Sequence, residues 1–264
     1  MEGKKRLFFG FSVNAPWPMT YPKGRMIEES SRHMTFAFLG NHPFIELEKN
    51  LSSFPKPAFL LSPVGMMDQL LFLPKSRPRV VSYHVTWFTN GDKMGDFQKA
   101  ALNWLETLHF KVDRGPFLPH TTLARSPFDP QTWEEAFEIL PVIVTGIHLY
   151  ESVGNLRYVS LWEIPFLTPF QEIEHTADIA FVIFGKNLTE LYLHGAIALS
   201  FKFPSFLKFI EKREMTTLNE VIQSLNRMIS LSDLEMGCPF KAVSYHGKIK
   251  EEKQLFQWEM VIDV

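Results

Sequence analysis

Apolar residues in this chain arrive in two rhythms, and their alternation limits the folds open to it. Runs of strand length, such as LFFGFSV at residues 7–13, RHMTFAFL at 32–39 and VVSYHVTWF at 80–88, are one rhythm. The other recurs every three or four positions, at 42–54, 97–108 and 130–140. A short continuous apolar run fits a buried strand, and the longer period fits a helix with one buried face. Pro43 suits a first helical turn, and Asp129 caps a helix that places Trp133, Phe137 and Leu140 on one face. Further strands are expected at 70–73, 120–124, 142–150 and 158–164, the last two joined by a loop containing Gly154 and Asn155. Pro16, Pro18 and Pro22 exclude a regular helix over 14–24, because proline lacks the N–H a helix needs. Strands mixed with helices, some in strand pairs, predict an α+β fold with sheets covered by helices.

The segment PFLTP at 165–169 is the clearest linker. It divides the chain into expected domains of residues 1–167 and 168–264, which suits a chain of 264 residues containing 25 Phe, enough for two cores. After it, a strand is expected at 175–185. Asn187 with Glu190 three positions later has the capping-box pattern at the start of a helix. A second helix is expected over 217–231, with Leu218, Ile222, Leu225 and Ile229 on one face, then strands at 241–246 and 255–264.

The formal net charge of −2 does not suit sequence-independent binding along a long nucleic acid, and leaves room for a pocket that reads one nucleotide or one chain end. Cys238 is the single cysteine, so no disulfide can form within the chain, which suits a reducing compartment. The N-terminus lacks the parts of a signal peptide, and no apolar run reaches the roughly 18 residues of a membrane helix. A cytoplasmic protein without membrane attachment is expected.

Two tripeptides share one chemistry: His33-Met34-Thr35 and His120-Thr121-Thr122. On a strand, residues two apart face the same side, so each tripeptide aims an imidazole and a hydroxyl at one place. Two such strands side by side would bring two histidines and two hydroxyls to one cleft. A histidine pair can move protons in both directions near neutral pH, and hydroxyls can donate to phosphate oxygens as charge develops. Arg125, three residues beyond Thr122, could add a fork of donors. One such tripeptide arises easily by chance, and the pair on two expected strands carries the reading. His84, mid-strand among apolar residues, reads as structural.

With their settings RHMTFAFLG and RGPFLPHTTLAR, the motifs resemble the two-histidine phosphoesterase superfamily, most of all its RNA 2′,3′-cyclic phosphodiesterases, formerly called 2′-5′ RNA ligases. RLFFGFSV and HLYESVGNLRYVSLWEIPF are similar to that family's opening strand and closing hairpin. The resemblance covers residues 1–166. It implies a two-lobed, pseudo-symmetric α+β fold and metal-independent hydrolysis of RNA 2′,3′-cyclic phosphate ends to 2′-phosphates, with no cofactor. It further implies His33 and His120 as the acid–base pair, His120 activating water and His33 protonating O3′. Thr35, Thr122 and Arg125 would bind phosphate.

EIEHTADIAF, GKNLTELYLHGAIAL, KAVSYH and the closing VIDV resemble archease over residues 170–264, with a shortened middle. Archeases assist the tRNA-splicing RNA ligase and bind a metal ion. The resemblance implies a small α+β domain, Asp178 and Asp263 as ligands of a divalent cation such as calcium or manganese, and a ligase partner. Two other readings stay open. One is a non-catalytic adaptor that presents RNA ends to a ligase; the other is a phosphodiesterase for a small cyclic nucleotide.

Overall fold

The computed structural model describes residues 3–175, 178–244, 249–252 and 254–264. The chain divides into two compact units, Met1–Glu138 with Val142–Phe166, and Ile139–Pro141 with Leu167–Val264. The main boundary falls inside the proline-flanked segment, between Phe166 and Leu167. Both units are mixed α/β with antiparallel sheets. Among the described residues no helix is long and apolar enough to cross a membrane.

In the first unit the order is β1 (Lys5–Asn14), β2 (Arg25–Met26), β3 (His33–His42), the short helix α1 (Phe44–Glu48), β4 (Val64–Leu73) and β5 (Val80–Trp87). Helix α2 (Gly91–Thr107), β6 (His120–Arg125), α3 (Pro130–Glu135), β7 (Leu140–Gly154) and β8 (Arg157–Pro165) follow. One sheet runs β2-β6-β5-β4-β7-β1-β3, with β8 paired to β7. The motif strands β3 and β6 therefore belong to different halves of the sheet, yet they lie alongside each other without a hydrogen-bonded ladder. The phenylalanines explain much of the packing. Phe9 and Phe11 of β1 are fully buried and pack on Phe36, with Phe54 against Phe9 and the α2 residue Phe97 against Phe11. Each ring so buried contributes on the order of 1.5–3 kcal/mol.

Three expectations shift, each for a local reason. The helix expected to Phe54 ends at Glu48 and continues as a 3-10 turn over Leu51–Ser53. There the Asn50 amide bonds the Glu46 carbonyl at 3.0 Å, and Pro55 keeps Phe54 extended. Helix α3 stops at Glu135, and Leu140, expected on its face, opens β7 instead, as a residue before a proline should. Strand β4 starts at Val64, well before residue 70, because a register shift between Met67 and Gln69 leaves Asp68 as an extra residue and hides the alternation.

The second unit holds β9 (Phe170–Ile173), β10 (Ile179–Gly185), α4 (Leu188–Lys202), α5 (Leu218–Met236), β11 (Ala242–Ser244), β12 (Lys250–Glu252) and β13 (Leu255–Asp263). Its sheet runs β11-β13-β10-β9, with β12 also on β13. Helix α4 is buried nearly all round and α5 on one face, over Trp258, Met260 and Ile262 of β13. Asn187 caps α4 by accepting from the Glu190 N–H at 2.9 Å, but the Glu190 carboxylate reaches back to the Lys186 N–H. The full reciprocal box closes at Thr217 and Glu220 instead. β9 and β12 are too short and polar to carry a pattern in the sequence. Thr176 and Ala177 of the EHTAD segment, and Tyr245 and His246 of the expected strand at 241–246, lie outside the described residues.

Candidate active site

Both motifs obey the strand alternation. In β3, Met34 is fully buried while His33 and Thr35 keep surface; in β6, Thr121 is fully buried while His120 and Thr122 keep surface. The likeness then extends beyond the tripeptide. Directly after each motif one residue drops out of register, Phe36 opposite β1 and Leu123 opposite β5. A bulge of this kind shifts the alternation by one, so the residue three beyond each threonine returns to the threonine's face. Those residues are Phe38 and Arg125, and both line the same cavity. Without the bulge, strict alternation would send Arg125 to the far side. Each bulge also frees a carbonyl that needs a partner. The buried Gln98 side chain of α2 donates to the Phe36 carbonyl at 3.3 Å, and the Ile27 N–H donates to the Leu123 carbonyl at 2.7 Å.

The two rings are latched alike. His33 Nδ1 lies 2.6 Å from the Ser31 carbonyl, and His120 Nδ1 lies 2.8 Å from the Leu118 carbonyl. A carbonyl can only accept, so Nδ1 carries the proton in each ring and the neutral form keeps its lone pair on Nε2. An imidazole so fixed can take or give a proton through Nε2.

The cavity beside the motifs is about 340 Å³, within the range for a nucleotide-sized ligand. His33, Thr35, Thr122 and Arg125 line it, with Arg6, Arg25, Phe8, Tyr158 and the hairpin residues Gly154, Asn155 and Leu156. His120 stands two residues before Thr122 on the same face of β6. No carboxylate is among the lining residues, and the three arginines make the cavity a receptor for an anion. Arg25 is paired directly with Arg125 across β2 and β6, and the Arg6 guanidinium lies 5.2 Å from the Phe38 ring centre.

The surroundings of His33 are aromatic. Its ring centre is 4.8 Å from Phe8, 5.1 Å from Tyr150 and 4.8 Å from Tyr158. Gly10 makes this possible, since a Cβ there would stand 3.1 Å from the Met34 carbonyl and 3.4 Å from the His33 ring. Burial pushes the His33 pKa down to about 4 against the pull of the Ser31 bond; the nearby charges of His120, Arg125 and His148 push it the same way. The Thr122 hydroxyl is held by the buried Ser82 hydroxyl at 3.1 Å, whereas Thr35 faces Gly10.

A scan against models of protein families and a search of curated proteins find no match. Among solved structures the chain is similar to a protein described as a phosphoesterase, at 21% identity and a TM-score of 0.44, over 62% of this chain and 99% of that chain. It is also similar to E. coli LigT complexed with 3′-AMP, at 21% identity and a TM-score of 0.44, over 62% of this chain and 98% of that chain. A Thermus thermophilus protein matches at 21% identity and a TM-score of 0.43, over 61% of this chain and 97% of that chain.

Several residues of the site were silent in the sequence. Arg6 is far from both motifs in the chain and Arg25 is far from the second, and only the pairing of β1 with β3 and of β2 with β6 brings them in. Gln98 and Gly10 support the site from behind. His148, without an evident partner in sequence, bonds Ser160 through Nδ1 at 2.8 Å and Ser12 through Nε2 at 3.0 Å, and stacks on Tyr150.

In the second unit, Ile179 pairs with Ile262, which makes Asp178 and Asp263 the next residues in register. The Ser244 hydroxyl donates to the Asp263 carboxylate at 2.9 and 3.0 Å, and His175 Nδ1 lies 3.7 Å from Asp178. These are oxygen donors of the kind a hard cation takes, but fewer than the roughly six to eight it collects. Among the described residues no group of three or more His, Cys, Asp or Glu side chains converges on a metal position.

Proposed function

We propose that the first unit is a metal-independent phosphodiesterase that opens 2′,3′-cyclic phosphates at RNA ends. One imidazole removes a proton from water as its oxygen attacks phosphorus. The P–O3′ bond breaks, O3′ takes a proton from the other imidazole, and a 2′-phosphate remains. The observation that carries this reading is the matched latch, in which Nδ1 of both His33 and His120 is held by the carbonyl two residues earlier, at the starts of β3 and β6, two strands that lie alongside each other at an arginine-lined cavity. General acid–base help of this kind is worth about 10²–10⁴-fold for each group. Thr35, Thr122 and Arg125 bind the phosphate oxygens, where charge builds up in the transition state. Following the resemblance, His120 activates water and His33 protonates O3′. The ligand-free His33, held near 4, gains its proton as the anionic phosphate enters beside it. Nucleophile and leaving group are thus served by protein side chains, and the arginines supply the positive charge that a cation would.

Incubation with an RNA oligomer ending in a 2′,3′-cyclic phosphate, followed by identification of the product isomer, tests the reading. A 2′-phosphate end formed at the same rate with and without EDTA is expected. A 3′-phosphate product, or a rate abolished by EDTA, overturns it. The sensible extension to the second unit is an archease-like module that serves an RNA ligase, with Asp178 and Asp263 holding a divalent cation. Calorimetric titration with Ca²⁺ or Mn²⁺ of wild type and Asp178→Ala decides this: a heat lost in the variant supports the site, and equal heats remove it.

A further inference from the structure

We propose that His84, anchored by Asp68, forms a second phosphate subsite beside His120 and takes the backbone phosphate next to the reacting end. The inference deepens the RNA-end reading and rests on it. His84 of β5 is paired directly with His120 of β6, so the two side chains share a face with Cβ atoms about 4.5–5.5 Å apart. The neighbouring pair on that face, Ser82 and Thr122, already touches through its hydroxyls at 3.1 Å. The imidazole is not left to itself. Asp68 accepts from His84 Nδ1 at 2.8 Å through one oxygen and from the Thr86 hydroxyl at 2.7 Å through the other. The carboxylate reaches both because it sits on the β4 bulge, which aims the extra residue at β5. When protonated, the ring can donate through Nε2 as well as through Nδ1 to Asp68.

The equivalent neighbour in the other half of the sheet is Ser12, paired with His33. The Asp68 and His84 side chains are 27% and 24% exposed, and that partial exposure leaves the pair within reach of a ligand. An RNA chain that ends in a cyclic phosphate continues in one direction only. A donor one step beyond His120, outside the mononucleotide-sized cavity, is placed for the phosphate that links the last nucleotide to its neighbour. The subsite makes a polynucleotide a better ligand than a mononucleotide.

The test measures affinity by fluorescence anisotropy for a labelled RNA trinucleotide with a terminal 2′-phosphate, against a labelled nucleoside 2′-phosphate. The expected result for His84→Ala is a roughly tenfold fall in the ratio of the two affinities, and a salt dependence shallower by about 0.7, the slope for one phosphate contact on a single strand. Asp68→Asn, nearly the same shape, should lower the ratio in the same direction and guards against a misfolded alanine variant. A ratio unchanged in both variants, or an equal loss on both ligands, overturns the subsite. If wild type binds the trinucleotide with this His84 dependence but hydrolyses no cyclic end, the phosphodiesterase reading falls and the subsite stands.

Discussion

The two motif strands are built to one plan and then furnished differently. Each carries a histidine latched through Nδ1, a threonine two residues on, a bulge, and a cavity-lining residue three beyond the threonine. In β3 that last residue is Phe38 and the histidine is packed by Phe8, Tyr150 and Tyr158. In β6 it is Arg125, and the flanking strand supplies Ser82 and His84 where β1 supplies Gly10 and Ser12. The lesson is a division of labour. One half offers dry, aromatic surface, suited to a ring and its ribose; the other offers charge and hydroxyls, suited to phosphate. The backbone plan fixes where the proton-carrying groups stand, and the neighbours set what each one meets.

The hardest way to break the comparison is to remove the rings. His33→Ala and His120→Ala should each lower kcat on a cyclic-phosphate RNA end by about 10²–10⁴-fold. They should do so to a similar extent, because the two act as a unit, and the double variant should lose little more. Circular dichroism checks that the fold survives. A variant that keeps a tenth of the activity excludes that ring from the chemistry.

The next effect separates the halves through pH. The proposed mechanism needs one proton shared between the two rings, so kcat/KM should fall on the acid side once both are protonated in the free protein. With His33 held near 4, that limb should lie near pH 4, well below the 6.5 of an ordinary imidazole. Tyr158→Ala opens the ring to water, weakens the burial that disfavours its charged form, and should move the limb upward toward 6.5. The position of the limb is the readout, since loss of a cavity-lining residue lowers the rate by itself. A limb that stays in place would show that Tyr158 does not shield His33.

How much of this was legible in the sequence follows from the range of each signal. The motif pairs His33/Thr35 and His120/Thr122 could be read because the two-residue strand period is local, and apolar runs marked both strands. Arg125 lines the cavity for a reason its spacing does not carry, as alternation alone would have turned it away; the Leu123 bulge that re-aims it leaves no mark in composition. Arg6, Arg25, Gln98 and His84 owe their positions to strand pairing and to α2 packing between residues up to 100 apart, as for Arg25 and Arg125. Residue types alone do not encode such register. Helix ends failed where side chains or prolines overrode the period, at Asn50 and at Leu140.

The smallest effect concerns one hydroxyl, and it turns the second half into the first. Thr122 is oriented by Ser82 at 3.1 Å, whereas Thr35 faces the bare Gly10. Ser82→Ala removes that partner without adding bulk, in a position fully shielded from water. One such hydrogen bond is worth about 0.5–1.5 kcal/mol, so kcat/KM should fall roughly two- to tenfold, well short of the histidine variants. The effect should reach the substrate through Thr122 alone. In a Thr122→Val background the serine substitution should therefore add almost nothing, because the interaction it supports is already gone. Equal losses in the two backgrounds would mean that Ser82 steadies the β5–β6 pairing as a whole, and the threonine would lose its claim to being the positioned partner of the phosphate.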